Sequence, residues 1–211
     1  LNAPAPAATV HAALDDYLAA NGFCVAAYGA PTYEVDLGDV TGEVWTFPNV
    51  PARRRAVPFH DLHHVLTGYG TDVMGEAEIG AWEMVTGCTS PFLWWINLSA
   101  VGVGLLLGPA RVVRAGMRAV GQRSLYRHGV PYPSLLPMTV GQLRSQLGMP
   151  AQGQADRPPA LHRRARTVKE RPYPLPGPVR RLLRLVAGGF NPILGGMRSE
   201  PAAGRSDGLD T

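Results

Sequence analysis

The chain is short of the residues that would mark it as an extracellular disulfide scaffold. Its 211 residues include two cysteines, Cys24 and Cys88, and these form neither a disulfide framework nor a metal-ligand pattern, which fits a reducing cytoplasm. No apolar run reaches the roughly 20 residues that a membrane-spanning helix needs. The nearest, Phe92 to Leu107, stops at sixteen and is interrupted by Asn97 and Ser99. The first residues lack the charged, apolar, small-residue order of a secretory leader. No basic stretch is interleaved with aromatics, so nucleic acid is not an expected partner. There is no flavin or nicotinamide fingerprint, so an oxidant would have to be dioxygen or a partner. Internal repeats are absent too.

What is present is uneven. Residues 1–150 hold nine arginines against eleven acidic residues, whereas residues 151–211 hold ten arginines and the one lysine against five. The net charge of +4 therefore belongs to the C-terminal segment. Apolar residues make up 45% of the chain, enough for a core, while 25 glycines and 20 prolines imply more loop than a compact bundle needs. The expected organisation is a helical metal-binding domain over residues 1–150 and a basic, Pro/Arg-rich C-terminal tail over residues 151–211. A short amphipathic piece in that tail, Val179 to Val186, suits either an anionic membrane surface or docking on the core.

The hydrophobic pattern reads as mainly α, a helical bundle with a short N-terminal β-hairpin. A first helix starts at Thr9 as N-cap, places Val10, Leu14, Tyr17 and Leu18 on one face, and ends at Asn21-Gly22. Tyr33–Leu37 and Glu43–Phe47 alternate apolar with polar and read as the hairpin. Pro48, Pro51 and Pro58 bracket Arg53, Arg54 and Arg55 in an extended connection, either a solvated run or a seat for an anionic head group. Glu76 to Thr86 reads as a helix with Ala77, Gly80, Ala81 and Met84 as a close-packing face. Phe92–Leu107 reads as a central core helix whose apolar surface, around Trp94, Trp95 and Leu105 to Leu107, can line a lipid groove opening toward the site below. Arg111, Arg114 and Arg118 form a solvated or anion-facing stripe, and Thr139 caps a small closing helix.

The chemistry concentrates at His60-Asp61-Leu62-His63-His64, followed after eleven residues by Glu76. On a helix His60 and His64 project one above the other, the spacing by which two imidazoles chelate one ion. Asp61 lies about 100° round from His60 and is able to bind the ion or to orient a ligand. Glu76 arrives from the next element. His63 and Glu78 are spare ligands or proton carriers, with simple solvent exposure as their expected state. A site of two histidines and two carboxylates suits zinc, with manganese and ferrous iron chemically reasonable. Four ligands on a tetrahedral zinc would make the ion structural; an open position would let it polarise a substrate oxygen. The His60-Asp61 pair also occurs in HD-type phosphohydrolases, but that class needs a further upstream histidine, and His11 stands too near the terminus.

The run from His60 through Gly68-Tyr69-Gly70-Thr71-Asp72 to Gly75-Glu76-Ala77 resembles the signature of the coenzyme-Q-biosynthesis protein four family, H-D-x-x-H, eleven residues, then E. The resemblance covers about residues 58–150 and implies a divalent metal, zinc above all, held by His60, Asp61, His64 and Glu76. It further implies work at a membrane surface on a prenylated aromatic quinone precursor, with loss of a ring carboxylate in which Asp61 and Glu76 act. Two functions follow as expectations. One is a metal-dependent lyase or oxidative decarboxylase, or a relative redirected to a natural product. The other is a non-catalytic isoprenoid-binding scaffold. Location at the inner face of a membrane and self-association are compatible with both.

Overall fold

The computed structural model describes residues 4–36 and 44–162, with single positions at 177 and 181. The expected amphipathic piece at Val179 to Val186 and most of the tail lie outside the described residues. The described residues divide into a helical body, residues 4–30 and 49–162, and a second unit containing residues 31–36 and 44–48.

The second unit holds the expected hairpin. Strand β1, Thr32–Asp36, pairs antiparallel with β2, Val44–Pro48, with Val35 opposite Trp45. Tyr33 stacks on Phe47 across the strands, with ring centroids 5.6 Å apart, the kind of cross-strand aromatic pair that fixes register.

Helix α1, Val10–Asn21, begins and ends where the sequence places it. The Thr9 hydroxyl accepts from the Ala12 amide, and Gly22 closes the helix at φ +70°. Helix α2, Pro51–Thr67, corrects one expectation, because Arg53, Arg54 and Arg55 lie inside its first turns rather than in an extended connection. Pro51 at the first helical position lacks only an N–H that would be unpaired anyway. Pro58 continues the helix because the carbonyl it leaves without a partner belongs to the exposed Arg54. Arg53 and Arg54 fold back on Asn49.

Helix α3, Val73–Thr86, is capped by Asp72, whose carboxylate accepts from the Gly75 amide at 2.9 Å. Helix α4, Pro91–Leu107, follows Ser90 as N-cap, and α5 spans Pro109–Ala119. The small-residue face of α3 meets α4: a β-carbon at Gly104 would strike the Ala77 methyl, and one at Gly80 would lie 3.3 Å from the Asn97 carbonyl. Trp82 is fully buried on another side of α3, and its indole N–H donates to Gln122 at 2.7 Å. A short turn of helix, α6 (Tyr132–Leu135), precedes α7 (Val140–Gln146), where Thr139 and Gln142 form a capping box.

The core does not centre on α4, contrary to the sequence expectation. It gathers Leu62, Leu66, Met74, Ile79, Trp82, Leu135, Leu143 and Leu147, none more than 1% exposed. On α4 only Leu93, Asn97 and Gly104 are buried, whereas Trp94, Trp95, Leu98, Leu105 and Leu106 are 43–53% exposed. Small residues let α4 approach its neighbours along a narrow stripe, and the large apolar residues point away from it. Among the described residues no helix is long and apolar enough to cross a membrane. The arginine stripe on α5 meets carboxylates of the chain itself: Arg111 forks onto Glu78 at 3.0 and 2.6 Å, and Arg114 and Arg118 pair with Asp156.

Residues 151–162, linker-like in composition, lie against the body. The amides of Gln154 and Ala155 donate to the Thr67 carbonyl, and the Thr71 amide donates to the Ala160 carbonyl. Arg144, fully buried, donates to the carbonyls of Leu66, Val65, Pro4 and Ala151. It therefore satisfies the last turn of α2, where helix carbonyls have no intrahelical partner. Replacing it with methionine keeps the bulk but leaves those carbonyls dry. Arg144→Met is expected to cost about 3 kcal/mol, read as a lower urea midpoint at unchanged slope.

Candidate metal centre

His60 and His64 stand one turn apart on α2 and Glu76 lies in the first turn of α3. The link between the helices is tight. Gly68 ends α2 at φ +81°, and a β-carbon at Gly75 would collide with the Gly70 carbonyl. That close approach carries the first turn of α3, and Glu76 with it, back over α2.

The three side chains converge. His64 Nε2 lies 3.1 Å from His60 Nε2, His60 Nε2 is 3.4 Å from one oxygen of Glu76, and His64 Nε2 is 3.5 Å from the other. Donor atoms 2.0–2.1 Å from a tetrahedral ion are separated from one another by about 3.3 Å, so these spacings suit a single divalent ion. His60, His64 and Glu76 form a group able to hold a metal. Asp61, expected as a fourth ligand, is not in that group. Its carboxylate turns the other way, where Tyr28 Oη donates to it at 2.6 Å and Tyr17 Oη at 3.4 Å.

The tautomers of the two histidines follow from what their other nitrogens touch. His64 Nδ1 lies 3.1 Å from the Tyr69 carbonyl, which only accepts, so Nδ1 carries the proton. His60 Nδ1 lies 2.9 Å from Glu83 Oε1, again an acceptor. Both Nε2 atoms therefore face each other with their lone pairs, an arrangement that is repulsive unless a cation lies between them. Burial works against charge on His60, but the Glu83 carboxylate and hydrogen bonds to Glu76 and Glu83 outweigh it and hold His60 well above the usual imidazole range. His64, beside it, is pushed down by burial. Burial also works against charge on Glu76, yet the two histidines keep its carboxyl below the ordinary range. Metal ions compete with protons for such donors.

Glu83 is the residue that the motif does not contain. Its Oε1 accepts from His60, from His63 Nδ1 at 2.7 Å and from Tyr126 Oη at 2.9 Å, and its Oε2 accepts from Asn97 at 2.8 Å. It is fully buried, and although burial opposes its charge, His60 and the hydrogen bonds from both histidines hold its pKa well below the carboxylate range. A signal for it exists in the sequence, since Glu83 follows Glu76 by seven residues, two helical turns on the same face.

His63 corrects a further expectation. It is buried rather than solvent-exposed, because its ring points about 100° away from that of His64, into the contact with Trp82 and Tyr126. Its Nε2 accepts from the Leu125 amide at 2.9 Å, so it has no lone pair to offer a metal. Glu78 is held by Arg111. On the Asp61 side, burial raises the pKa of the carboxyl against the opposing charges of His60 and His64. Tyr17 also stacks on His64, with ring centroids 5.7 Å apart.

The Glu76 side chain is 41% exposed, so this group of three residues is open to solvent on one side. A shallow groove of about 660 Å³ lies along the start of α4, lined by Cys88 to Pro91, Trp94, Trp95 and Leu98. None of the three donor residues lines it, and Leu105 to Leu107 lie outside it, so this groove does not open toward the metal as the sequence reading expected. Ala56, Cys88 and Leu93 pack together with Met84 and Tyr126 against them, which closes the inner side of this part of α4.

Comparison with protein-family models, curated proteins and solved structures gave no match. What the chain offers toward a metal is its own donor geometry.

Proposed function

We propose that the chain binds one divalent metal ion through His60, His64 and Glu76 and acts as a metal-dependent lyase on a prenylated aromatic quinone precursor. The facing Nε2 atoms of His60 and His64, with both Nδ1 protons committed elsewhere, carry the metal reading. Two histidines and one carboxylate with an open side is a donor set that zinc uses in catalytic sites. When bound, the ion supplies a Lewis acid for an oxygen of the substrate. Glu76 is half exposed beside that position and is placed to bind and orient a ligand. Asp61 holds or moves a proton through Tyr28 and Tyr17, whose hydroxyls donate to its carboxylate.

The substrate class rests on the resemblance of the His60 to Glu76 motif. Location at a membrane surface belongs to the same reading. The test is turnover of a prenylated 4-hydroxybenzoate-type acid by the zinc-loaded chain, with mass spectrometry of the lipid that co-purifies. Metal uptake without release of carbon dioxide and without an extracted isoprenoid would sink the lyase reading.

Asp61→Asn separates catalysis from structure. Asparagine preserves the shape and an acceptor oxygen but not the basicity. Because Asp61 is outside the donor group, the variant is expected to stay folded and keep its metal, while turnover falls by about 10²–10⁴-fold. Metal content, circular dichroism and product formation measure the three together. A variant that works at the parent rate would remove Asp61 from the mechanism.

A further inference from the structure

We propose that Glu83 is the positioning residue of the metal site, fixing His60 as the Nδ1–H tautomer so that its Nε2 lone pair faces His64 and Glu76. The inference rests on the metal reading above and names the group on which that reading depends.

Four observations converge on it. The His60 Nδ1 to Glu83 Oε1 distance is 2.9 Å, while the opposite nitrogen of the ring is the one 3.1 Å from His64 Nε2. A free imidazole divides between two tautomers and rotates about its side-chain bonds; one carboxylate on Nδ1 removes both freedoms. Glu83 itself cannot swing away, because Asn97 on α4 and Tyr126 beyond α5 hold its two oxygens and no part of it reaches solvent. His63 donates to the same oxygen at 2.7 Å, so Glu83 receives two donors from one face of α2, three residues apart. His64 is oriented differently, by the backbone carbonyl of Tyr69. The two metal-facing nitrogens are thus set by two independent acceptors, one charged and one neutral. A charged acceptor on the far nitrogen makes the near one a better donor, and such partners typically contribute about 10–100-fold to metal affinity.

The experiment uses the full chain, stripped with a chelator and titrated with Zn²⁺ against a chromophoric competitor, with Co²⁺ as a spectroscopic probe. Glu83→Gln keeps the size and one acceptor oxygen but loses the charge. It is expected to bind Zn²⁺ about 10–100-fold more weakly and to shift the visible Co²⁺ bands. Tyr126→Phe removes a hydrogen bond from the same oxygen without touching His60. It is expected to melt lower yet bind Zn²⁺ within about threefold of the parent, since the His60 contact persists. Parent-like affinity and Co²⁺ spectrum in Glu83→Gln would overturn the proposal, as would an equal loss in Tyr126→Phe, which would make the effect one of general packing.

Should Glu83→Gln not fold, nitrogen NMR of the histidines in the parent chain decides instead. Zn²⁺ on Nε2 of His60 with a proton retained on Nδ1 supports the assignment, and Zn²⁺ on Nδ1 overturns it. A parent chain that takes up neither Zn²⁺ nor Co²⁺ would overturn the metal reading itself, a result separate from any of these.

Discussion

Metal uptake is expected to vanish from the His60→Ala, His64→Ala double variant. The parent chain should hold one divalent ion after dialysis, and the double variant none, by elemental analysis of protein-matched samples. Each single variant removes one of the three donors found among the described residues, so its loss should exceed the 10–100-fold typical of changes behind the ligands. The fold should persist, because Glu83 keeps its hydrogen bonds from His63, Tyr126 and Asn97 when His60 is gone. Retained stoichiometry in the double variant would refute the site.

Glu83→Ala is expected to be the most destabilising single change in the body. It removes the acceptor of four donors at once, on His60, His63, Tyr126 and Asn97, at a carboxylate that itself has no contact with water. Breaking a buried charged network costs about 3–5 kcal/mol, which in a chain of this size lowers the melting temperature by about 10 °C. The dependence on pH has a definite sign. The folded-state pKa of Glu83 lies well below its ordinary value, so its contribution is complete above the ordinary carboxylate range. It is lost as pH falls through that range toward the folded-state value. The stability gap between parent and Glu83→Ala should therefore be widest near neutrality and narrow in acid, as urea midpoints at several pH values would record. A gap that is constant with pH would mean that Glu83 acts through its bulk and not its charge.

These two expectations draw on different kinds of information. The pairing of His60 with His64 is a local matter, since any α-helix places residues four apart on one face. Glu76 was legible from the same motif, although the glycines that bring it over α2 act through a contact with Gly70 that no spacing announces. The role of Glu83 depends on which way α3 and α4 lie against α2, and its partners come from positions 60, 63, 97 and 126.

Local signals determined the ends of α1 and α7, where Thr9 and Thr139 find backbone amides three residues away. They also determined the hairpin pairing and the mainly α class. The course of α2 through Pro58, the exposure of Trp94 and Trp95, and the burial of His63 were decided only by the tertiary structure. So was the turn of Asp61 away from the other donors. The physical reason is common to all of them. Hydrogen-bond periodicity and capping are properties of adjacent residues, so the sequence determines them by itself. Which side of a helix becomes dry, and which acceptor reaches a given imidazole nitrogen, depends on residues far apart in the chain and is decided when the helices pack.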